Sequence, residues 1–293
     1  MNEAEALERA ARLACWQESV APEPLAGGIT NRNFLVRHRG ERFFVRVGHD
    51  IPAHLISRAN ELTASRAAAA AGLSPKVVHC EAGALVMPFI EGRTLTPEIA
   101  RAQPMLSRIL PLIQQCHYDV MPRLRGPVQM FWLPFLLRHY AAELADGTSI
   151  FMPHVPRLIS ISDELHAVIG PIEIVFSHND LLAANIIDDG ARLWLIDWDY
   201  AGFNSPLFDL ANLSSNNELA PSEEAWLLDT YFEKPRSAEL ERRYSAMKCA
   251  SLLREAMWGM VSDLHSTLDV DYIAYARGNL ERFERALVDF RQY

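Results

Sequence analysis

Two short apolar runs constrain this chain most, Ile172–Phe176 and Leu193–Ile196, because each is followed closely by a carboxylate. The first leads into His178-Asn179-Asp180, with Asn185 five residues beyond Asp180. The second releases Asp197, twelve residues after Asn185. Apolar runs this short, bounded by polar residues, read as buried strands. A carboxylate leaving the end of a buried strand is held on a rigid scaffold and still reaches a cleft. One Asp to orient an attacking hydroxyl, with an Asn and a second Asp to hold a metal, is the set that phosphoryl transfer from a nucleotide with Mg²⁺ requires. Mg²⁺ takes few protein oxygens and fills its shell with water and phosphate, so Asn185 and Asp197 suffice. His178 reads as a buried brace for the loop rather than as an acid or base.

Upstream, residues 3–16 have the apolar spacing of a short amphipathic helix, ended by Pro22 and Pro24. Phe34–His38 and Arg42–Val47 are rich in β-formers and are separated by the turn Arg39-Gly40-Glu41. Gly27-Gly28-Ile29-Thr30-Asn31 precedes this hairpin, where a glycine-rich backbone can approach phosphate oxygens and aim N–H groups at them. The period of two puts Phe43, Val45 and Val47 on one face and Phe44 and Arg46 on the other. Arg46 is therefore a candidate phosphate cation. Residues 53–71 read as an Ala-rich helix stopped by Gly72. Its Glu61 has two possible partners, Arg46 across the fold or Arg58 three residues back. Val77–Cys80 and Ala84–Met87 read as two further strands. Beyond Pro88 and Gly92 the pattern turns helical, which sets a domain boundary near residue 90 and divides the chain into 1–90 and 91–293. The connector Met87, Phe89 and Ile90 is placed to hold a nucleotide base through its backbone.

Helices are expected at 105–117, with Pro111 kinking or splitting the segment, and at 131–145, 162–169, 223–232, 238–265 and 270–290. Residues 152–157, with two prolines, read as a loop. The 293 residues and 49% apolar content allow a sizeable core. A net charge of −9 without a Lys/Arg run argues against a nucleic-acid surface. Cys15, Cys80, Cys116 and Cys249 are scattered without metal-ligand spacing, as suits free thiols in a reducing compartment. No apolar run is long enough for a signal peptide or a membrane span, and a cytoplasmic location is expected.

The words HNDLLAAN (178–185), LIDWDYAGFN (195–204) and FDLAN (208–212) resemble the choline/ethanolamine kinase family, within the aminoglycoside-phosphotransferase and protein-kinase-like superfamily. GITNRNF (28–34) resembles the nucleotide loop of that family, and residues 261–283 its last helices. The resemblance implies an α+β, protein kinase-like fold in two lobes. The small lobe would hold an antiparallel sheet and a helix, and the large lobe would be mainly helical. It implies ATP and Mg²⁺ as cofactors and a small amino alcohol as substrate, with choline or ethanolamine first. By resemblance Asp180 is the catalytic aspartate, and Asn185 and Asp197 are the metal ligands. Arg46 contacts phosphate and is oriented by Glu61, with Gly28, Thr30 and Asn31 over the phosphates. Asp209 and Asn212 brace the loop.

A quaternary ammonium has no donor hydrogens and must be held by carboxylate charge and aromatic faces. Trp198, Asp199, Tyr200, Trp258 and Tyr275 are the candidates, with Trp258 and Asp199 foremost. The family usually has Glu where Asp199 stands, and Glu255 replaces a second Trp. That suits a smaller or N–H-bearing cation as well as choline. The scaffold alone also admits an aminoglycoside, thiamine or homoserine kinase, or a nucleotide-binding protein without turnover. A protein kinase is disfavoured, because DFG and APE words are missing and only about ten residues separate Asp197 from the next expected helix.

Overall fold

The computed structural model describes residues 2–25 and 31–292. The chain opens with α1 (Glu3–Ala11), β1 (Glu23–Leu25), β2 (Arg32–His38), β3 (Glu41–Val47), α2 (Arg58–Ala70), β4 (His79–Glu81) and β5 (Ala84–Pro88). Strand β6 (Arg93–Thr94) leads into α3 (Pro97–Arg101), α4 (Gln103–Asp119), α5 (Leu133–Asp146) and α6 (Val155–Ile169). Then come β7 (Val175–Ser177), β8 (Ile186–Asp188), β9 (Leu193–Leu195) and β10 (Gly202–Asn204), followed by α7 (Pro206–Asn217), α8 (Pro221–Tyr231), α9 (Ala238–His265) and α10 (Tyr272–Phe290). The result is α+β. A five-stranded antiparallel sheet, ordered β1-β2-β3-β5-β4, stands beside a helical body that carries two small sheets, β10-β7 and β6-β8-β9.

The β2–β3 hairpin turns on Arg39 and Gly40, at φ 53° and 82°. Positive φ at both central residues matches the right-handed twist of the strands. The sheet buries Phe34, Val36, Val45, Val47 and Val86 against Ala6, Ala10 and Leu13 of the N-terminal segment. Its other face carries Phe44 and Arg46 into the cleft. The apolar face of α2 joins the larger cluster of the helical body, through Ala64, Ala67 and Ala68.

Four expected boundaries move, each for a local reason. Helix α1 stops at Ala11 instead of continuing to 16, because the Trp16 indole N–H takes the Ala10 carbonyl at 2.8 Å. The 53–71 helix is a 3₁₀ turn, Pro52–His54, and then α2; the two are separated by Leu55 at φ 55°, and Asp50 Oδ1 accepts from the Arg58 N–H at 2.7 Å. Pro111 does not split its segment into separate elements. Helix α4 runs through it, with Pro111 on the exposed side and Ile109, Leu110, Leu112, Ile113 and Cys116 buried. The expected loop at 152–157 is largely helical, because Pro156 lies in the first turn of α6, where its missing N–H costs nothing.

Gly259 brings the last two helices together. A Cβ there would lie 2.8 Å from Tyr275 Cδ1 and 3.1 Å from Ala276 Cα. The bare backbone lets α10 approach α9 and sets Tyr275 beside Trp258, ring centroids 5.6 Å apart. Among the described residues no helix is long and apolar enough to cross a membrane.

Candidate active site

The loop between β7 and β8 is fixed from beneath by α7. Asp209 Oδ2 accepts the His178 N–H and Asp209 Oδ1 the Asn179 N–H, both at 2.8 Å. Asn212 Oδ1 takes the Leu181 N–H at 2.6 Å, and Asn217 Oδ1 the Ala183 N–H at 3.0 Å. Asn179, at φ 65°, spends its own amide inside the fold, receiving from Asn204 Nδ2 at 2.8 Å and donating to the Tyr200 carbonyl at 3.0 Å. His178 Nε2 donates to the Ile196 carbonyl at 2.9 Å, and burial lowers its pKa. The loop is thereby tied to the strand end that presents Asp197. A buried polar loop of this kind needs each backbone group paired.

Above this base lie Asp180, Asn185 and Asp197. Asn185 Nδ2 donates to the Asp180 carbonyl at 2.8 Å and to Asp180 Oδ2 at 3.2 Å, and Asn185 Oδ1 accepts from no described residue. Burial raises the Asp180 pKa to about 7, with Arg254 opposing the rise and Glu255 adding to it. Asp197 sits at φ 65° just past β9. Burial and then Asp199, Asp180 and Glu61 raise its pKa well above the usual carboxylate range. Its carboxylate makes no ion pair with a described side chain. A carboxylate crowded by like charges, beside an amide oxygen, fits a hard divalent cation. Among the described residues no group of three or more His, Cys, Asp and Glu side chains forms a metal site. An ion held by Asn185 and Asp197 would therefore complete its shell from phosphate and water.

The opposite wall is a buried cluster of four charges. Arg46 Nη1 pairs with Glu61 Oε2 and, at 2.9 Å, with Asp199 Oδ1. Arg58 Nη1 lies 2.8 Å from Glu61 and 2.6 Å from Asp199. Asn31 joins through Nδ2 to Asp199 Oδ2 at 3.0 Å and accepts from Arg58 Nη2 at 2.7 Å. Glu61 thus has both of the partners that the sequence left open. Burial raises its pKa while the two arginines draw it back. Asp199 behaves differently: burial is outweighed by Arg46 and Arg58, and its pKa is lowered. Gly28 and Thr30 lie outside the described residues.

A cavity of about 540 Å³ separates these walls, and Met87, Phe89 and Ile90 border it. The Phe89 N–H is already used on the Arg42 carbonyl at 2.9 Å. At the far end lie Tyr200, Arg254, Glu255, Trp258 and Tyr275. The foremost acceptor candidates border the cavity, and each is also engaged by other side chains. Asp199 is engaged by two arginines and has no charge to spare for a substrate cation. Trp198 borders the cavity, yet its indole N–H donates to Ser74 Oγ at 2.7 Å and its ring packs on His178, 4.7 Å between centroids. Trp258 donates to the Tyr200 hydroxyl at 2.7 Å and stacks on His54 at 5.1 Å.

Sequence reasoning missed Arg254, which is 1% exposed, lies 3.8 Å from Asp180 Oδ1 and sits 4.3 Å above the Tyr200 ring. A charged pair, Arg254-Glu255, inside the apolar run 252–261 was the available signal. It also missed His117, fully buried, whose Nε2 donates to Asp209 at 3.0 Å and whose Nδ1 accepts from Tyr231 at 2.7 Å. Nothing in its helical surroundings marks His117 in advance.

Asp180 and Asn185 on one loop and Asp197 past β9, across a cleft from Arg46 of the five-stranded sheet paired with Glu61 of α2, define a phosphotransferase of the protein kinase-like fold. The chain belongs to the choline/ethanolamine kinase family, whose model matches residues 23–225. Among its relatives, Protein LicA of Haemophilus influenzae is 26% identical over 79% of this chain and 70% of that protein. Ethanolamine kinase 2 of Mus musculus is 27% identical over 88% of this chain and 74% of its own. The crystal structure of a choline/ethanolamine kinase family protein from Mesorhizobium loti superposes with TM-score 0.76 at 27% identity, covering 98% of this chain and 95% of that one. The chain is accordingly a phosphotransferase that acts on an alcohol.

Proposed function

We propose that this protein transfers the γ-phosphoryl group of ATP to the hydroxyl of a small amino alcohol, with Mg²⁺ held by Asn185 and Asp197. The observation that carries this reading is the convergence of Asp180, Asn185 and Asp197 with Arg46 on one cavity. Mg²⁺ supplies charge neutralisation of the phosphate oxygens. Asp180 accepts the hydrogen bond of the substrate hydroxyl and orients it for in-line attack, and takes up its proton as the new O–P bond forms. Arg46, fixed by Glu61, offers fork-like donors to the nucleotide phosphates. Residues 1–90 serve as the nucleotide-binding lobe and 91–293 as the catalytic and acceptor-binding lobe. Catalysis rests mainly on positioning. The family match and the named activities of the relatives support an amino alcohol as acceptor.

The test is coupled ADP release with ATP and Mg²⁺ over choline, ethanolamine, thiamine, homoserine and an aminoglycoside. Turnover of choline or ethanolamine, lost on chelating the metal, is the expected result. Turnover of only one of the other acceptors would keep the assigned chemistry and discard the amino alcohol.

A further inference from the structure

We infer that Arg254 is a specificity-determining residue, whose guanidinium occupies the aromatic position a fully methylated ammonium would need, so that the acceptor site selects amino alcohols bearing N–H donors. This rests on the amino alcohol reading above.

The geometry is that of a cation cage filled by the chain itself. The guanidinium carbon of Arg254 lies 4.3 Å from the Tyr200 ring centroid and 5.8 Å from that of Phe131. These are cation–π distances. The group is held there by Glu255 Oε1 on the next residue and by the charge of Asp180. Trp258 and Trp198 are engaged by other rings as well. His54 lies on Trp258 with ring planes 26° apart, and Tyr272 and Tyr275 meet Trp258 edge-on. Trp198 is packed against Phe176 and His178. A trimethylammonium group entering this end finds little open π-face and a buried like charge at close range.

A primary ammonium finds something better. With Asp199 engaged by Arg46 and Arg58, Glu255 is the acceptor-side carboxylate. Its Oε1 takes Arg254 and its Oε2 takes the Tyr275 hydroxyl at 2.9 Å. Each carboxylate oxygen keeps a second lone-pair direction. With Asp180 ionised, it and Glu255 set two negative charges against the one positive charge of Arg254, so this end of the cavity can take one further cation. Ammonium N–H groups can supply that charge with directed hydrogen bonds, which N-methyl groups cannot.

The experiment is kcat/KM for ethanolamine, N-methylethanolamine, N,N-dimethylethanolamine and choline, measured on the full chain and on Arg254→Leu. For the unaltered chain we expect a fall along the series, at least tenfold at the last methyl, where the final N–H is lost. For R254L, which uncovers Tyr200 and releases Glu255, the choline-to-ethanolamine ratio of kcat/KM should rise at least tenfold, whatever the absolute rate. Glu255→Gln should raise KM for ethanolamine more than for choline. Choline used by the unaltered chain as well as ethanolamine would overturn the assignment even if R254L failed to fold, and would leave the amino alcohol reading intact. A ratio unmoved in folded R254L would do the same. No turnover of any of the four, with an acceptor of another class used, would remove that reading and this inference together.

Discussion

The two buried charge clusters on either side of the cavity are built from the same residue types and end in different states. At the phosphate end, Arg46 and Arg58 meet Glu61 and Asp199, and each charge has a partner from a different segment. At the acceptor end, Arg254 is the one cation among the described residues that pairs with Asp180 and Glu255. Desolvated charges are tolerated when paired and costly when not. The first cluster is complete and rigid, suited to presenting guanidinium groups to a ligand that always has the same shape. The second, with Asp180 ionised, can take one further cation and is suited to being completed by what binds. Asp197, without an ion pair to a described side chain, shares that incompleteness.

Substitutions can break or sharpen this contrast. Asp180→Ala should do most, lowering kcat by about four powers of ten, roughly 5 kcal/mol in barrier, while leaving the melting temperature near that of the unaltered chain. A variant retaining full rate would end the catalytic assignment. Asp197→Ala should cost about a thousandfold, on the order of 4 kcal/mol, and raise the Mg²⁺ concentration needed for half-maximal rate. An unchanged metal requirement would detach Asp197 from the metal. Glu61→Ala, which opens the completed cluster, should cost about 3 kcal/mol in denaturant unfolding, as expected for a broken buried ion pair. Glu61→Gln should cost less, and equal losses would show that charge is not what matters there.

The smallest effect concerns His54, which lies behind Trp258. Burial, then Arg254, hold its pKa down to about 3. The unfolded chain binds the proton first, so this contribution to stability is present above pH 6.5 and is lost as pH falls toward 3. Between pH 6.5 and 5 the loss should be about 2 kcal/mol. His54→Gln should flatten that part of the stability–pH curve, and an identical slope in both proteins would rule the group out.

The same contrast explains what could be read from the chain in advance. Asp180, Asn185 and Asp197 lie within eighteen residues and are held by local strands, so their spacing already describes their meeting. Arg46 and Glu61 share the first part of the chain, and a simple strand periodicity sets the face of Arg46. The acceptor end depends on α9, and Arg254 stands 74 residues beyond Asp180. No local pattern says which of two carboxylates, Asp199 or Glu255, will be engaged by two arginines and which by one. Arg58 decides it, by reaching Asp199 across 141 positions of sequence. The moved helix ends have a similar origin. Trp16 closing α1 is a tertiary choice that overrides local propensity, and Pro111 is tolerated because its face of α4 meets solvent.

Helix α2 carries a last consequence, for the order in which the molecule is made. Its partners arrive late: the Leu195 N–H donates to the Leu73 carbonyl just beyond α2, Asp199 receives Arg58, and the Ala201 carbonyl receives Asn60. A ribosome adding roughly 5 to 20 residues per second needs about 7 to 30 s to go from α2 to those strands. For that interval the nascent chain holds a finished hairpin beside a helix whose alanine face has nowhere to dock. Release of a fragment ending near residue 90 would leave it in that condition permanently, so the N-terminal lobe is expected to need the remainder of the chain to stay in solution.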